Sequence, residues 1–219
     1  MRLTCPVRAA VVGLAALSVV AVGGYTAGAS TGAPPPTRVV VNLPAPAAAP
    51  NPLIANGVSI GKNVAVYKSS GLGPGALNAA APAGTPERYV DPSQFPGGAL
   101  SAGVTITEAQ SMNALARIAE NLASVGLGVD DVIAMRVFLD NPPGADVADY
   151  AGWNRAYRQF FANTDRVTRA VLPVPLGTAP AAPPLVANAA RPSRFTLEVA
   201  SLPVTGWLVE VEVDAAFPR

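Results

Sequence analysis

The chain has 219 residues, 15 of them basic and 14 acidic, half of them hydrophobic, with one cysteine and no histidine. That length suits one ordinary domain with appendages. The missing histidine excludes Ser-His-Asp and Cys-His catalytic arrangements and the common histidine zinc sites, and a near-neutral charge offers nothing to attract nucleic acid.

Met1-Arg2 and Arg8 precede an apolar run from Ala9 to Val22, and Ala27-Gly28-Ala29 follows just before Ser30. A positive start, a short apolar core and a small-x-small site predict a secretory signal over residues 1–29, and hence a secreted, periplasmic or cell-envelope protein. The run is short against the roughly 20 residues of a membrane span. Left uncleaved, it would be an anchor, the only route by which this reading involves a membrane. Its removal leaves 13 basic against 14 acidic residues and takes away Cys5, so neither a disulfide nor a thiol nucleophile remains. Residues 30–52 carry Pro34-Pro35-Pro36, Pro44, Pro46, Pro50 and Pro52 among alanines, the composition of an extended tether. Order is expected from about Leu53, with Arg38 to Val41 as an optional edge strand.

Ile60 to Tyr67 reads as a turn entering a strand that ends at Ser69-Ser70-Gly71. Residues 74–103, rich in Gly, Pro and Ala, form a first insert, long enough to suggest a functional or disordered loop. A helix is expected from Thr107, with Gln110 completing a capping box, Met112, Leu115, Ile118 and Leu122 at helical spacing, and Gly126 and Gly128 closing it. Val132 to Leu139 reads as a strand with Met135, Val137 and Leu139 on one face. A second helix is expected over Val147 to Phe161, its stripe of Tyr150, Trp153, Tyr157 and Phe160 packing as core. A second insert, 162–191, leads to two closing strands, Phe195 to Ala200 and Trp207 to Val213, about a turn with Pro203 and Gly206. In the last strand Val209, Val211 and Val213 point one way, and Glu210, Glu212 and Asp214 the other. Three stacked acids need water or a cation, and Arg194 is the nearest cation in sequence. The order of elements predicts an α+β fold, two helices on one face of a mixed sheet, with the other face wet or covered by a partner.

Pro192-Ser193-Arg194, Val199-Ala200-Ser201-Leu202-Pro203 and Glu210-Val211-Glu212 closely resemble the C-terminal signature of the RidA (YjgF) family of trimeric imine and enamine deaminases. Thr105 to Gln110 with Asn121-Leu122, Gly126 to Leu139, the N-x-x-Y-x-x-F-F run from Asn154 to Phe161, and Ser70-Gly71 match the family in the same order. The resemblance implies a RidA/chorismate mutase-like fold assembled as a homotrimeric barrel, with ligand clefts between neighbouring subunits. It implies that Arg194 grips a ligand carboxylate through its planar fork. Glu210 takes the position linked to water activation or imine orientation, and Asn154, Thr196, Ser70 and Gly71 those that shape the pocket. The chain departs from the family in lacking a tyrosine before its second strand, in reading S-S-G-L at that strand's end, and in its two inserts. Arg169, in R-V-T-R-A-V-L, imitates the arginine strand start and is the second candidate anchor.

The reading that follows is a deaminase releasing 2-keto acids and ammonia from small 2-imino acids, with Arg194 and Glu210 facing one cleft. No cofactor or metal is expected, since Asp130-Asp131 reads as a cap or solvated turn. The alternative keeps the trimer as an extracytoplasmic binding or interaction module whose inserts remodel the cleft, and a different hydrolase on the same fold is a third possibility.

Overall fold

The structure is a computed structural model that describes residues 36–218. The expected signal or anchor over residues 1–29 lies outside the described residues. The elements follow in the order β1 (Val40–Asn42), β2 (Gly57–Ser59), β3 (Val66–Lys68), α1 (Ile106–Ala123), β4 (Val132–Leu139), α2 (Tyr150–Arg158), β5 (Ser193–Glu198) and β6 (Val209–Ala216). Strands β3, β6, β4 and β5 lie side by side in that order, and β1 pairs with β2 as a separate ribbon. Only the β4–β5 contact is parallel, so the sheet is mixed and the expected α+β class holds.

One face of the sheet is dry. Met135, Val137 and Leu139 of β4 stand beside Val213, Val211 and Val209 of β6, and all six are buried. Leu115, Ile118 and Leu122 from α1 and Trp153, Tyr157 and Phe161 from the α2 region close over them. Each such side chain contributes roughly 1.5–3 kcal/mol by leaving water. The stripe on α2 differs from expectation at its first member, because Asp149 caps the helix through Gly152 N at 2.8 Å and Tyr150 lies outward in the first turn. The helix is therefore shorter than Val147 to Phe161.

Helix α1 also starts earlier than expected. Thr105, not Thr107, is its N-cap, and its Oγ1 accepts from Glu108 N at 3.1 Å. The same hydroxyl donates to Asp149 Oδ2, so the two helix caps are joined. Gly126, at φ 77°, closes the helix as expected, in a conformation that disfavours any side chain.

Buried polar side chains on the helices order both inserts. Asn113 donates from Nδ2 to Gly75 O and Tyr89 O, both at 2.8 Å, and accepts from Gly75 N at 3.0 Å. Gln110, expected in a capping box, instead donates to Pro86 O and Gly206 O and accepts from Leu208 N. The first insert folds inward, with Val90 and Phe95 buried against Ala109 and Met112. Glu108, fully buried, pairs with Arg155 Nη2 at 2.8 Å and accepts from Gly177 N at 3.0 Å, which fastens the second insert to both helices. A buried ion is tolerated here because every charge-bearing atom has a partner.

Ordered structure begins before Leu53. Strand β1 pairs with β2, Arg166 Nη1 donates to Pro44 O at 2.8 Å, Asn51 Nδ2 donates to Asp165 Oδ2 at 3.0 Å, and Arg191 Nε donates to Pro52 O at 2.8 Å. Residues 40–42 are therefore held by β2 and residues 44–52 packed on the second insert, rather than free as a tether. The described chain belongs to a compact unit spanning Pro35–Arg219 with its own core. Among the described residues no helix is long and apolar enough to cross a membrane.

Replacing Asn113 by Ala strips partners from three backbone groups in the first insert. We expect a loss on the order of 2–3 kcal/mol in urea unfolding, together with faster amide exchange confined to residues 74–103. Unchanged exchange there would show that the amide clamp does not hold the insert.

Candidate functional site

The register of the sheet sorts the six residues singled out from sequence into two groups. Arg194 stands beside Met135 and Thr196 beside Val137, so both point to the face that carries the helices. Arg194 Nη2 donates to Asn154 Oδ1 of α2 at 2.7 Å. Its guanidinium carbon lies 4.3 Å from the Tyr157 ring centroid and 5.8 Å from that of Trp153. The aromatic faces offset part of the cost of holding a cation away from water. Burial lowers the Arg194 pKa from its ordinary value, with Tyr157 acting in the opposite sense, and no carboxylate of the described residues lies at ion-pair distance from it.

Two donors in this group have no mate. Arg194 Nη1 and Thr196 Oγ1 are buried and have no hydrogen-bond partner among the described residues. Such orphans are uncommon in native proteins and invite an account. Beside Arg194 opens a cleft of about 470 Å³, walled by Ile54, Ala55, Asn56, Met135 and Phe195. Arg194, Asn154 and Thr196 form one half-site.

Ser70, Gly71 and Glu210 form the other. Leu72 exchanges backbone hydrogen bonds with Val211 at 2.9 and 3.0 Å, and the Glu210 carboxyl reaches diagonally across to Gly71. A Cβ at position 71 would run into Glu210 Oε1, so a side chain there would make this carboxylate swing aside. Ser70 is exposed, whereas its neighbour Ser69 is buried and accepts from Val213 N. Glu210 stands beside Phe138 on the open face of the sheet. The expectation that Arg194 and Glu210 face one cleft is thus corrected: within one chain the sheet lies between them. Side chains an even number of positions apart share a face, and the pairing of β4 with both neighbours puts these two on opposite ones.

The cation that answers the acid row is Arg136, not Arg194. Arg136 Nη2 lies 2.7 Å from Asp214 Oδ1 and 2.9 Å from Glu212 Oε1, and Lys68 Nζ lies 3.4 Å from Asp214 Oδ1. These hydrogen bonds raise the Arg136 pKa, and the bond from Arg136 holds Glu212 below the ordinary glutamate value. Burial works against the Asp214 carboxylate, but Arg136 and Lys68 outweigh it and hold its pKa down. Glu210 has no such partner among the described residues and is the one free acid of the row. Sequence reasoning passed over Arg136, although alternation along M-R-V-F-L already places it opposite Met135. Arg169 is not a strand arginine: it sits in an exposed loop at φ 65°. Among the described residues no group of three or more His, Cys, Asp or Glu side chains is placed to hold a metal ion.

Residues 98–217 match the family described as Endoribonuclease L-PSP. The chain belongs to this family, the RidA (YjgF) family that its C-terminal run resembles. Among solved structures, the Rid-family protein YyfB from Yersinia pestis is 17% identical, covering 82% of this chain and 99% of its own, with a TM-score of 0.46. A YjgF/YER057c/UK114-family protein from Mycobacterium tuberculosis is 18% identical over 82% of this chain and 99% of its own, at a TM-score of 0.38. E. coli TdcF with bound serine is 21% identical over 73% of this chain and 85% of its own, at 0.40. No curated protein sequence matches.

The depressed carboxylates of Glu212 and Asp214 carry a pH signature. Their contribution to stability is complete above the unfolded carboxylate range, about pH 4, and is lost as pH falls through their folded values. Arg136→Met removes the cause. We expect the variant to be less stable at neutral pH and its stability to fall less steeply below about pH 4, read from urea midpoints across pH. An acid limb as steep as wild type would disprove this assignment.

Proposed function

We propose that this family member is an imine and enamine deaminase whose site is completed between subunits of a homotrimer. The observation that carries the reading is an Arg194 guanidinium without a carboxylate partner among the described residues, its Nη1 orphaned beside an orphaned Thr196 hydroxyl and a cleft alongside. A small carboxylate would supply the missing partner through the fork geometry that arginine favours. Because Glu210 lies across the sheet, the acid facing that carboxylate must come from a neighbouring copy. Phe195 and Leu197, about half exposed on the open face, support burial of that face in an assembly.

The chemistry is modest. Water adds to the C=N carbon while the nitrogen takes a proton, giving a carbinolamine; the hydroxyl then loses its proton as the C–N bond breaks and ammonia leaves. Arg194 and Asn154 position the carboxylate, and Glu210, cradled at Gly71 and free of competing cations, accepts and returns the proton. The reaction needs no histidine. The apolar N-terminal run makes the cell envelope the compartment of this proposal. The binding-module alternative draws on one observation: Arg194 is already tied to Asn154 and stacked on Tyr157, which suits a fixed anchor for a ligand that is held and not turned over.

The test uses residues 35–219 and measures 2-keto acid release from freshly generated 2-iminobutyrate. We expect Arg194→Ala and Glu210→Gln each to abolish turnover. Refolded together in equal amounts, they should recover about a quarter of the wild-type rate, because one cleft in four then pairs an intact Arg194 with an intact Glu210. Turnover with no recovery on mixing would place both residues in the site of one subunit. A folded wild-type trimer without turnover would leave the binding module as the function.

A further inference from the structure

The second insert contains a charge imbalance that the proposed reaction does not use. From residue 158 to residue 191 the only acid is Asp165, against Arg158, Arg166, Arg169 and Arg191. These groups are gathered in space. Arg191 Nη2 donates to Thr164 O at 2.6 Å, Arg169 N to Asp165 O at 3.0 Å, and Asn163 Nδ2 to Arg158 O at 2.9 Å. The Asp165 carboxylate is committed to its own loop, accepting from Asn51 Nδ2, Val167 N and Thr168 N. Arg166 and Arg191 spend their donors on backbone carbonyls yet keep their charge. Arg158 and Arg169 have no side-chain partner at all among the described residues. Burial lowers the Arg191 pKa from its ordinary value, and the like charges of Arg158, Arg166 and Arg169 lower it further, with Tyr157 opposing.

The loop that presents this charge is also apolar at its tip. Val167 is 78% exposed and Val171 47%, on either side of Arg169. Arg169 itself is held at φ 65°, a left-handed conformation that costs a side-chain-bearing residue about 1 kcal/mol or more. The structure therefore fixes a strained turn that holds an arginine between two valines, rather than leaving a slack loop.

We infer that the 165–171 loop, with Arg158, is a docking surface for anionic phospholipid. Exposed Arg169, with the part-exposed Arg158 and Arg166, attracts the headgroups, buried Arg191 adding only its field, and the projecting valines enter the boundary between headgroup and acyl chain. A small soluble anion has no use for exposed aliphatic side chains, and stacking on nucleic acid bases calls for aromatic ones, which the loop lacks. The export expected of the N-terminal run would bring the chain to a membrane.

Sedimentation of residues 35–219 with vesicles of phosphatidylcholine, alone or mixed with phosphatidylglycerol, tests this. Binding should require phosphatidylglycerol and weaken with added salt. Arg169→Gly removes one charge while relieving the left-handed strain, so the variant should unfold at or above the wild-type temperature and yet partition about fivefold less. Val167→Asp should lower partitioning further. Equal binding to both vesicle types, or wild-type partitioning by both variants, overturns the proposal. Binding to soluble polyphosphate without binding to vesicles also overturns it and assigns the patch to a soluble polyanion.

Discussion

Everything about the candidate site follows from the pairing of β4 with a strand on each side. Met135 stands beside Arg194 on one flank and Val213 on the other, so the apolar row of β6 and the arginine of β5 share the helix-covered face. The acid row must then take the opposite face. A slip of one residue would send the valines into water and the acids into the core, at a cost no surface ion pair could offset. Burial of the valines therefore places Glu210, although among the described residues no hydrogen bond or ion pair holds its carboxylate there.

That separation gives each half-site its own support. Arg194 rests on the aromatic shelf of Tyr157 and Trp153, which serves at once as core and as the seat of a cation. Glu210 depends on the absence of a side chain at Gly71 and on Arg136 being occupied by its two neighbours. Of three acids on one strand face, the first alone is without a cation among the described residues. Among the described residues, one chain thus holds an arginine that lacks an acid and an acid that lacks a cation.

The inserts show why composition misleads about order. Gly, Pro and Ala in long runs carry little apolar surface and read as loops or tethers. Here their backbone groups are satisfied by buried side chains on the helices, namely Asn113, Gln110 and Glu108, and by Arg166 and Arg191 reaching to the 44–52 segment. Order comes from long-range hydrogen bonds to carbonyls, and these leave no periodic trace in the sequence.

The sequence by itself determined the α+β class, strand β4 to the residue, the sorting of Val209, Val211 and Val213 from the acids, and the family. These rest on side-chain periods of 2 and 3.6, which are local. Helix starts were read less well, because Thr105 and Thr107 are equally plausible caps until Asp149 is placed beside the first. Tertiary structure alone decided which cation meets the acid row, that Arg194 and Glu210 lie on opposite faces, and that residues 40–52 are packed. Each of these depends on the register between strands distant in sequence, or on bonds from one part of the chain to another. Alternation assigns faces within a strand but cannot say which face of one strand matches which face of the next.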